Sequence, residues 1–414
     1  MVPKGWTHTT FEKHVDCLTG FAFKSDNYSN AEDDIRLLRG DNIEPGNLRW
    51  RDAKYWPKGE LHNLEKYYLA DGDFVIALDR TWVSSGLKVA EVTPSDLPCL
   101  LVQRVARIRA KTTLEQNLLR QYFSGHRFEQ HVKSVQTATA VPHISPNDIK
   151  NFTVSLPPIP EQKKIAKILT TWDKAISTTE KLLANSQQQK KALMQQLLTG
   201  KKRLLDKNGV RFSGEWKAQR IGSLLKEVKR PVQWDDDSEY HLLSVKRRSE
   251  GVVLREILKG SDILTKKMNT ALAGDFLISK MQVVHGATGL VTEEFNKYHI
   301  SDSYISLRPK DDEKIDIAFF SWFSKQKIMY HKAFLCSYGV HIEKMTFNFN
   351  MFVKERVVIP VTLEEQQKIA AVLSTADKEI TTLQQKLDAL KQEKKALMQQ
   401  LLTGKLRVKV EEVA

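Results

Sequence analysis

The chain has 414 residues, 41% hydrophobic and 8% aromatic, enough apolar material for more than one core. Lys and Arg number 64 against 50 Asp and Glu, a net charge of +14 that favours an acidic partner, nucleic acid above all, without separating DNA from RNA. Three scattered cysteines without a CxxC speak against a disulfide framework or zinc module, and no apolar run reaches the roughly 20 residues of a membrane span or resembles a signal peptide, so a reduced, soluble, cytoplasmic protein is expected.

The first segment, residues 1–155, reads as an α+β module of mixed short strands and few helices. Within it Ala70-Asp71-Gly72-Asp73 is a Gly-Asp turn leading into the apolar strand Phe74-Val75-Ile76, with a second glycine at Gly86. Later, residues 119–124 (LRQYFS) read as a short amphipathic helix. Residues 156–205 then form a predicted long helix. Pro160 marks its start, and Gly200 stands where a left-handed C-terminal cap belongs. Its apolar seam advances by alternating steps of four and three: Ile165, Leu169, Trp172, Ile176, Thr179, Leu183, Ser186, Lys190, Leu193, Leu197. Steps that average about 3.5 describe a coiled-coil stripe.

Residues 206–360 repeat the first segment loosely. Leu272-Ala273-Gly274-Asp275-Phe276-Leu277-Ile278 matches the Gly-Asp turn and strand, and Thr288-Gly289-Leu290 supplies the second glycine. His241-Leu242-Leu243 parallels Ile35-Arg36-Leu37-Leu38, and residues 319–324 (FFSWFS) parallel 119–124. Residues 361–414 hold a second predicted long helix, with capping-box spacing at Thr362 and Glu365, a seam through Ile369, Leu373, Ala376, Ile380, Leu383, Leu387, Leu390, Lys394, Leu397 and Leu401, and Gly404 at its end.

The two helices are far closer to each other than the modules before them. At a shift of 204 residues, 161–201 and 365–405 agree at 25 of 41 positions, and the last 12, KKALMQQLLTGK, are identical. The expected architecture is therefore two globular modules separated by two helices of about 40 residues, with internal two-fold symmetry if the helices pair antiparallel. A seam alone does not demand that Gln195, Gln196 and Thr199, or Gln399, Gln400 and Thr403, be identical. Two like surfaces for two copies of one partner would account for it, as would a recent duplication or recombination.

Signs of catalysis are lacking. No GxxxxGK[ST] loop occurs, because Gly200-Lys201 and Gly404-Lys405 are helix ends without an upstream glycine. No Asn-Pro-Pro-aromatic or Asp-Pro-Pro-aromatic tetrapeptide is present to hold a target adenine. Glu161-Gln162-Lys163 spells part of a nuclease site, but at a helix start an acid meets the helix dipole favourably. The histidines show no metal spacing.

Several stretches carry a family resemblance. Residues 18–25 (LTGFAFKS) with Tyr28 and 37–43 (LLRGDNI), the transition 141–162 (VPHISPNDIKNFTVSLPPIPEQ), and ALMQQLLTG at both helix ends resemble the DNA-specificity subunits of type I restriction–modification systems. The second segment departs from the pattern, with IPVTLEEQ at 359–366 and LLSVKRR at 242–248. The resemblance implies two target-recognition domains (1–155 and 206–360) that read an asymmetric bipartite site in double-stranded DNA. It also implies two conserved helices (156–205 and 361–414) that bind two modification subunits and, through them, restriction subunits. It further implies that this chain is non-catalytic and carries no cofactor, with S-adenosylmethionine, ATP and Mg²⁺ on the partner subunits. A coiled-coil interaction adaptor without sequence-specific DNA binding is the alternative that the residues themselves leave open.

DNA contacts are expected from cationic and amide side chains near the module landmarks. Lys24 and Arg39 lie in the family-like opening, and Arg80 follows the first Gly-Asp strand. Lys280, Gln282 and His285 follow the second, and Lys246, Arg247 and Arg248 are the densest basic cluster outside the helix ends. Arg107, Arg109 and Lys111 alternate, so on a strand they would share a face. Trp82 is expected to pack, and Lys201, Lys202, Arg203 and Lys405 to cap helix carbonyls.

Overall fold

The computed structural model describes residues 3–138, 140–339, 341–342 and 345–410. By packing, the chain divides into two compact units, Met1–Lys181 with Gln385–Ala414, and Leu182–Gln384.

In the first unit, β1 (Val15–Thr19), β2 (Ile35–Leu38), β3 (Lys54–Trp56), β4 (Phe74–Ala77), β5 (Val89–Glu91), β6 (Cys99–Leu101) and β7 (Val105–Ala110) build two sheets. One has the order β5-β4-β7-β1 and is antiparallel throughout; the other is β6-β2-β3, in which β6 and β2 run parallel. Strand β4 is buried at every position, which is why its sequence is continuously apolar instead of alternating. Gly72 (φ +79°) makes the tight turn before it, and Asp73 holds that turn by accepting the Ala70 amide at 2.8 Å. The helices Gln116–Phe123 and His126–Val135 close the outer core, in which Phe11, Phe74, Phe123, Phe128 and Phe152 stack or meet edge to face.

The second unit repeats this plan on different residues. Its strands are β8 (Leu225–Val228), β9 (Glu239–Lys246), β10 (Gly251–Lys259), β11 (Met268–Thr270), β12 (Phe276–Ser279), β13 (Thr288–Leu290), β14 (His299–Ser301) and β15 (Tyr304–Pro309). The order β13-β12-β15-β8 matches β5-β4-β7-β1 strand for strand. The second sheet, β10-β9-β14-β11, again has one parallel contact, between β9 and β14, and β9 and β10 form a long hairpin. The expected parallels therefore hold: β4 with β12, β2 with β9, and Gln116–Phe123 with Ile317–Ser324.

Two helices of 39 residues, Ile159–Leu197 and Leu363–Leu401, each about 58 Å long at 1.5 Å per residue, contribute to both units. Pro160 lies inside the first turn of the former. Both helices end on a left-handed glycine, Gly200 (φ +72°) and Gly404 (φ +71°). In the first unit the start of the first helix packs with the end of the second. There Ile165, Leu169, Leu401 and Leu402 are buried in one core with the phenylalanines above, and Leu397 lies against it. In the second unit the roles are exchanged, with Leu197, Leu198, Ile369 and Leu373 buried against Phe276, Phe319 and Phe320, and Leu193 alongside. Each such side chain contributes roughly 1.5–3 kcal/mol on burial. Asp173–Lys394 and Glu180–Lys391 fix the antiparallel register in the first unit, and Lys190–Asp377 with Ser186–Glu379 in the second. Away from the cores the seam thins: Leu183 and Leu387 are buried, while Ile176 and Ile380 are half-buried.

Candidate nucleic-acid interface

In each unit, two topologically equivalent loops meet: the turn after the first strand of the sheet that holds the parallel pair, and the loop after the Gly-Asp strand. In the first unit these follow β2 and β4. Buried Asn42 fixes the turn, accepting the Arg39 amide at 3.0 Å and donating to the Arg49 carbonyl at 3.0 Å. Buried Thr81 fixes the loop by donating to the Ala77 and Leu78 carbonyls at 2.7 and 3.0 Å, and the Arg80 amide donates to Pro142 O at 2.6 Å. Arg39, Arg80 and Lys88 line a cleft of about 310 Å³ and also a larger one of about 940 Å³. The larger cleft adds Arg49, Arg51 and Lys54 against Asp41, Glu44 and Asp52. Burial is the main force holding the Lys88 ammonium below its usual pKa, with Arg80 acting in the same direction and Asp41 opposing.

In the second unit the turn after β9 carries exposed Lys246, Arg247 and Arg248, then buried Ser249. Ser249 ties it to the loop after β12: its amide donates to Gly286 O at 2.8 Å, and its hydroxyl lies 2.5 Å from the Tyr330 hydroxyl. Gly286 (φ +73°) permits this approach, because a Cβ there would run into the Tyr330 ring.

Not every expected contact survives. Arg107 and Arg109 do share a face of β7, but Arg107 is buried and paired with Asp16 at 2.5 Å, while Arg109 grips buried Asp73 in a two-pronged ion pair. The loss is physical: the neighbouring strand and the Gly-Asp turn supply carboxylates that sequence alternation does not reveal. Lys280 turns away to the Asp302 carbonyl at 2.5 Å, and half-buried Gln282 directs its side-chain oxygen inward. His285 is half-buried on the same loop, and Lys24 is exposed outside the clefts. Trp82 packs as expected, donating to Glu129 and lying 4.1 Å under Lys133.

Asp275, the counterpart of Asp73, is fully buried between Arg230 and Arg308. Burial pushes its pKa up, yet hydrogen bonds from Arg230, the Leu272 amide and Arg308 outweigh that and hold the carboxyl below its ordinary range.

At the helix ends, Glu161 does more than face a dipole. It is buried, and Arg407 binds it bidentately at 2.7 and 2.9 Å while the Trp6 indole donates at 3.1 Å. In the second unit Glu365, expected in a capping box, is instead bound by Arg203 at 2.5 and 2.6 Å beneath Trp216. Arg203 thus pairs with a carboxylate where carbonyl capping was expected. Arg203 and Arg407 are also 204 residues apart, so extending the repeat two residues past its identical stretch would have exposed both locks. Gln162 and Gln366 repeat the pattern, each accepting one backbone amide and donating to two carbonyls. Gln195, Gln196, Gln399 and Gln400 remain exposed. The hydroxyls of exposed Thr199 and half-buried Thr403 bond back to the Gln195 and Gln399 carbonyls at 2.6 Å.

Among the described residues no three His, Cys, Asp or Glu side chains gather to hold a metal, and no helix is long and apolar enough to cross a membrane.

The family model for the type I restriction modification DNA specificity domain matches residues 18–185 and again 214–392. The chain is 34% identical to the type I restriction enzyme EcoAI specificity subunit of Escherichia coli over 182 residues, 44% of this chain and 30% of that one. It is 27% identical to the MjaVIII specificity subunit of Methanocaldococcus jannaschii over 50% of this chain and 48% of that protein. The chain thus spans less than half the length of either relative. The EcoBI specificity subunit of Escherichia coli aligns more widely, at 24% identity over 88% of this chain and 77% of its own. In fold, the chain is similar to the S subunit of a type I restriction–modification system from M. genitalium, with a TM-score of 0.61 at 11% identity, covering 97% of this chain and 99% of that one.

Proposed function

The chain belongs to the type I restriction–modification DNA specificity family, and from that premise we propose that it is the non-catalytic reader of a type I restriction–modification enzyme. In this reading segments 1–155 and 206–360 are the target-recognition domains, each reading one half of an asymmetric, bipartite double-stranded DNA site. The helices of 156–205 and 361–414 space the halves and dock two modification subunits through Gln195, Gln196 and Thr199 and through Gln399, Gln400 and Thr403. Restriction subunits join through the modification subunits. S-adenosylmethionine, ATP and Mg²⁺ act on those partners. The observation that carries the reading is one strand order built twice, with cationic loops brought together at the same topological position each time.

Exchanging segment 1–155 for that of a relative, in the chain assembled with its modification subunits, should change one half of the methylated sequence and leave the other. A change in both halves would overturn the modular reading. Absence of any salt-resistant sequence preference would leave a coiled-coil adaptor in its place. Sizing the assembly with Gln195 and Gln399 replaced tests the docking surfaces separately: two modification subunits per chain are expected, and fewer after substitution.

A further inference from the structure

Among the described residues, seven that are not glycine have left-handed backbone: Asp52, Asn63, Arg80, Arg104, Arg248, Ser249 and Lys297. Asp and Asn tolerate this conformation through local hydrogen bonding, whereas other L-residues adopt it against a steric penalty that glycine escapes. Ser249 is held there by Gly286 and Tyr330, and Arg104 is paired with Asp79 at 3.4 Å. Lys297 lies on neither of the paired loops, in the turn just before β14. Arg80 (φ +47°) and Arg248 (φ +59°) remain. Both are exposed, and neither has a salt bridge or side-chain hydrogen bond among the described residues.

Their placement is not arbitrary. One lies in each unit, on the paired loops: Arg80 on the loop after the Gly-Asp strand, and Arg248 on the turn that is hydrogen-bonded to the equivalent loop. The Arg80 backbone is held by its amide on Pro142 O and the Arg248 backbone by the neighbouring Ser249 anchor, but no side-chain hydrogen bond or ion pair calls for an arginine at either place. Gripping a phosphate does not call for one either, since a lysine on any exposed turn serves as a point charge. A fixed left-handed backbone sets the Cα–Cβ direction from which the guanidinium reaches out, and that starting direction matters for a two-pronged bond to the O6 and N7 edge of guanine in the major groove. An arginine kept where glycine would relieve the backbone, with its side chain unused by the fold, is a mark of function.

We propose that Arg80 and Arg248 are specificity-determining residues, each reading a guanine in one half of the target. This rests on the DNA-reading function proposed above. The test uses the full chain assembled with its modification subunits and a library of randomised duplex DNA, comparing wild type with Arg80→Gly and Arg248→Gly. Each variant should melt at or above the wild-type temperature, because glycine relieves the backbone. Each should also lose about 5- to 150-fold guanine preference at one position, in a different half-site for each variant. An evenly weaker affinity with base preferences kept would assign phosphate contact and overturn the proposal, as would a lowered melting temperature, which would mark a structural role. If the wild-type assembly itself shows no sequence preference, the DNA-reading function fails first.

Discussion

Both units bury an aspartate at the turn before their central strand, but they neutralise it differently. Asp73 meets Arg109, whose side chain is 40% exposed, whereas Asp275 is clamped by Arg230 and Arg308, at 29% and 35%. The helix-end locks differ in the same sense, with the Arg203 side chain 19% exposed and that of Arg407 44%. Strand order, turn and lock are shared, while the loops are not: a short turn over an open cleft in one unit, a long hairpin in the other. Parts that hold the framework are repeated even where their surroundings vary, and the two units differ most in the paired loops.

Removing the buried carboxylate should separate the units most. Asp275→Asn leaves two guanidinium groups facing a neutral amide and should cost about 3–5 kcal/mol. Asp73→Asn, whose arginine can turn toward water, should cost about 1–2 kcal/mol. Thermal melts of the full chain compare them, and equal losses would remove the distinction. The pH dependence has a definite sign. The Asp275 carboxyl sits below its ordinary 3.8, so its stabilisation is present above that pH and is lost as pH falls through the lower folded value. The gap between wild type and Asp275→Asn should therefore close only in strong acid.

The locks come next. Arg203→Ala strands Glu365 at 2% side-chain exposure and should cost about 2–4 kcal/mol, whereas Arg407→Ala should cost less, because Trp6 still donates to Glu161. Double-mutant cycles with Glu365→Gln and Glu161→Gln measure both coupling energies, and the larger should lie in the second unit. At the cap glycines the order should reverse. Either Gly→Ala change costs about 1–2 kcal/mol for left-handed backbone. At Gly404 the new methyl is also driven into Pro3, whereas at Gly200 it only meets the Trp216 ring at 3.3 Å. Gly404→Ala should thus melt lower than Gly200→Ala.

The smallest effect is expected at Lys88. Burial depresses its pKa below 10.5, so the charged side chain carries a penalty that is fully present below the folded pKa and fades as pH rises through it. Lys88→Gln should stabilise the DNA-free chain slightly at neutral pH, by well under about 1 kcal/mol because solvent screens the half-buried ammonium, and lose that advantage in alkali. Greater instability of the variant at neutral pH would show that the ammonium makes a favourable contact instead.

How far the sequence carries depends on where a residue's partner comes from. The Gly-Asp turns and the helix seams are local patterns, so β4, β12 and both long helices are readable along the chain. Arg107 and Arg109 are not, because their periodicity gives a face but not the Asp16 and Asp73 that occupy it. Arg39 and Arg80 are legible as cations, whereas their convergence in one cleft follows only from the sheet order. The lock between Arg203 and Glu365 spans 162 residues, and the repeat was the one clue to it.

The exchange of helix ends also bears on how the protein is made. Leu401 and Leu402 complete the core that begins with Trp6 and Phe11, whereas the second unit is one uninterrupted stretch, Leu182–Gln384. On the ribosome the earlier-synthesised unit must therefore wait, with apolar surface uncovered, until the later one has emerged. Order of synthesis and order of completion are opposite. A chain truncated after residue 384 and released from the ribosome should present a finished second unit and an unfinished first, and it is the first that would need a chaperone.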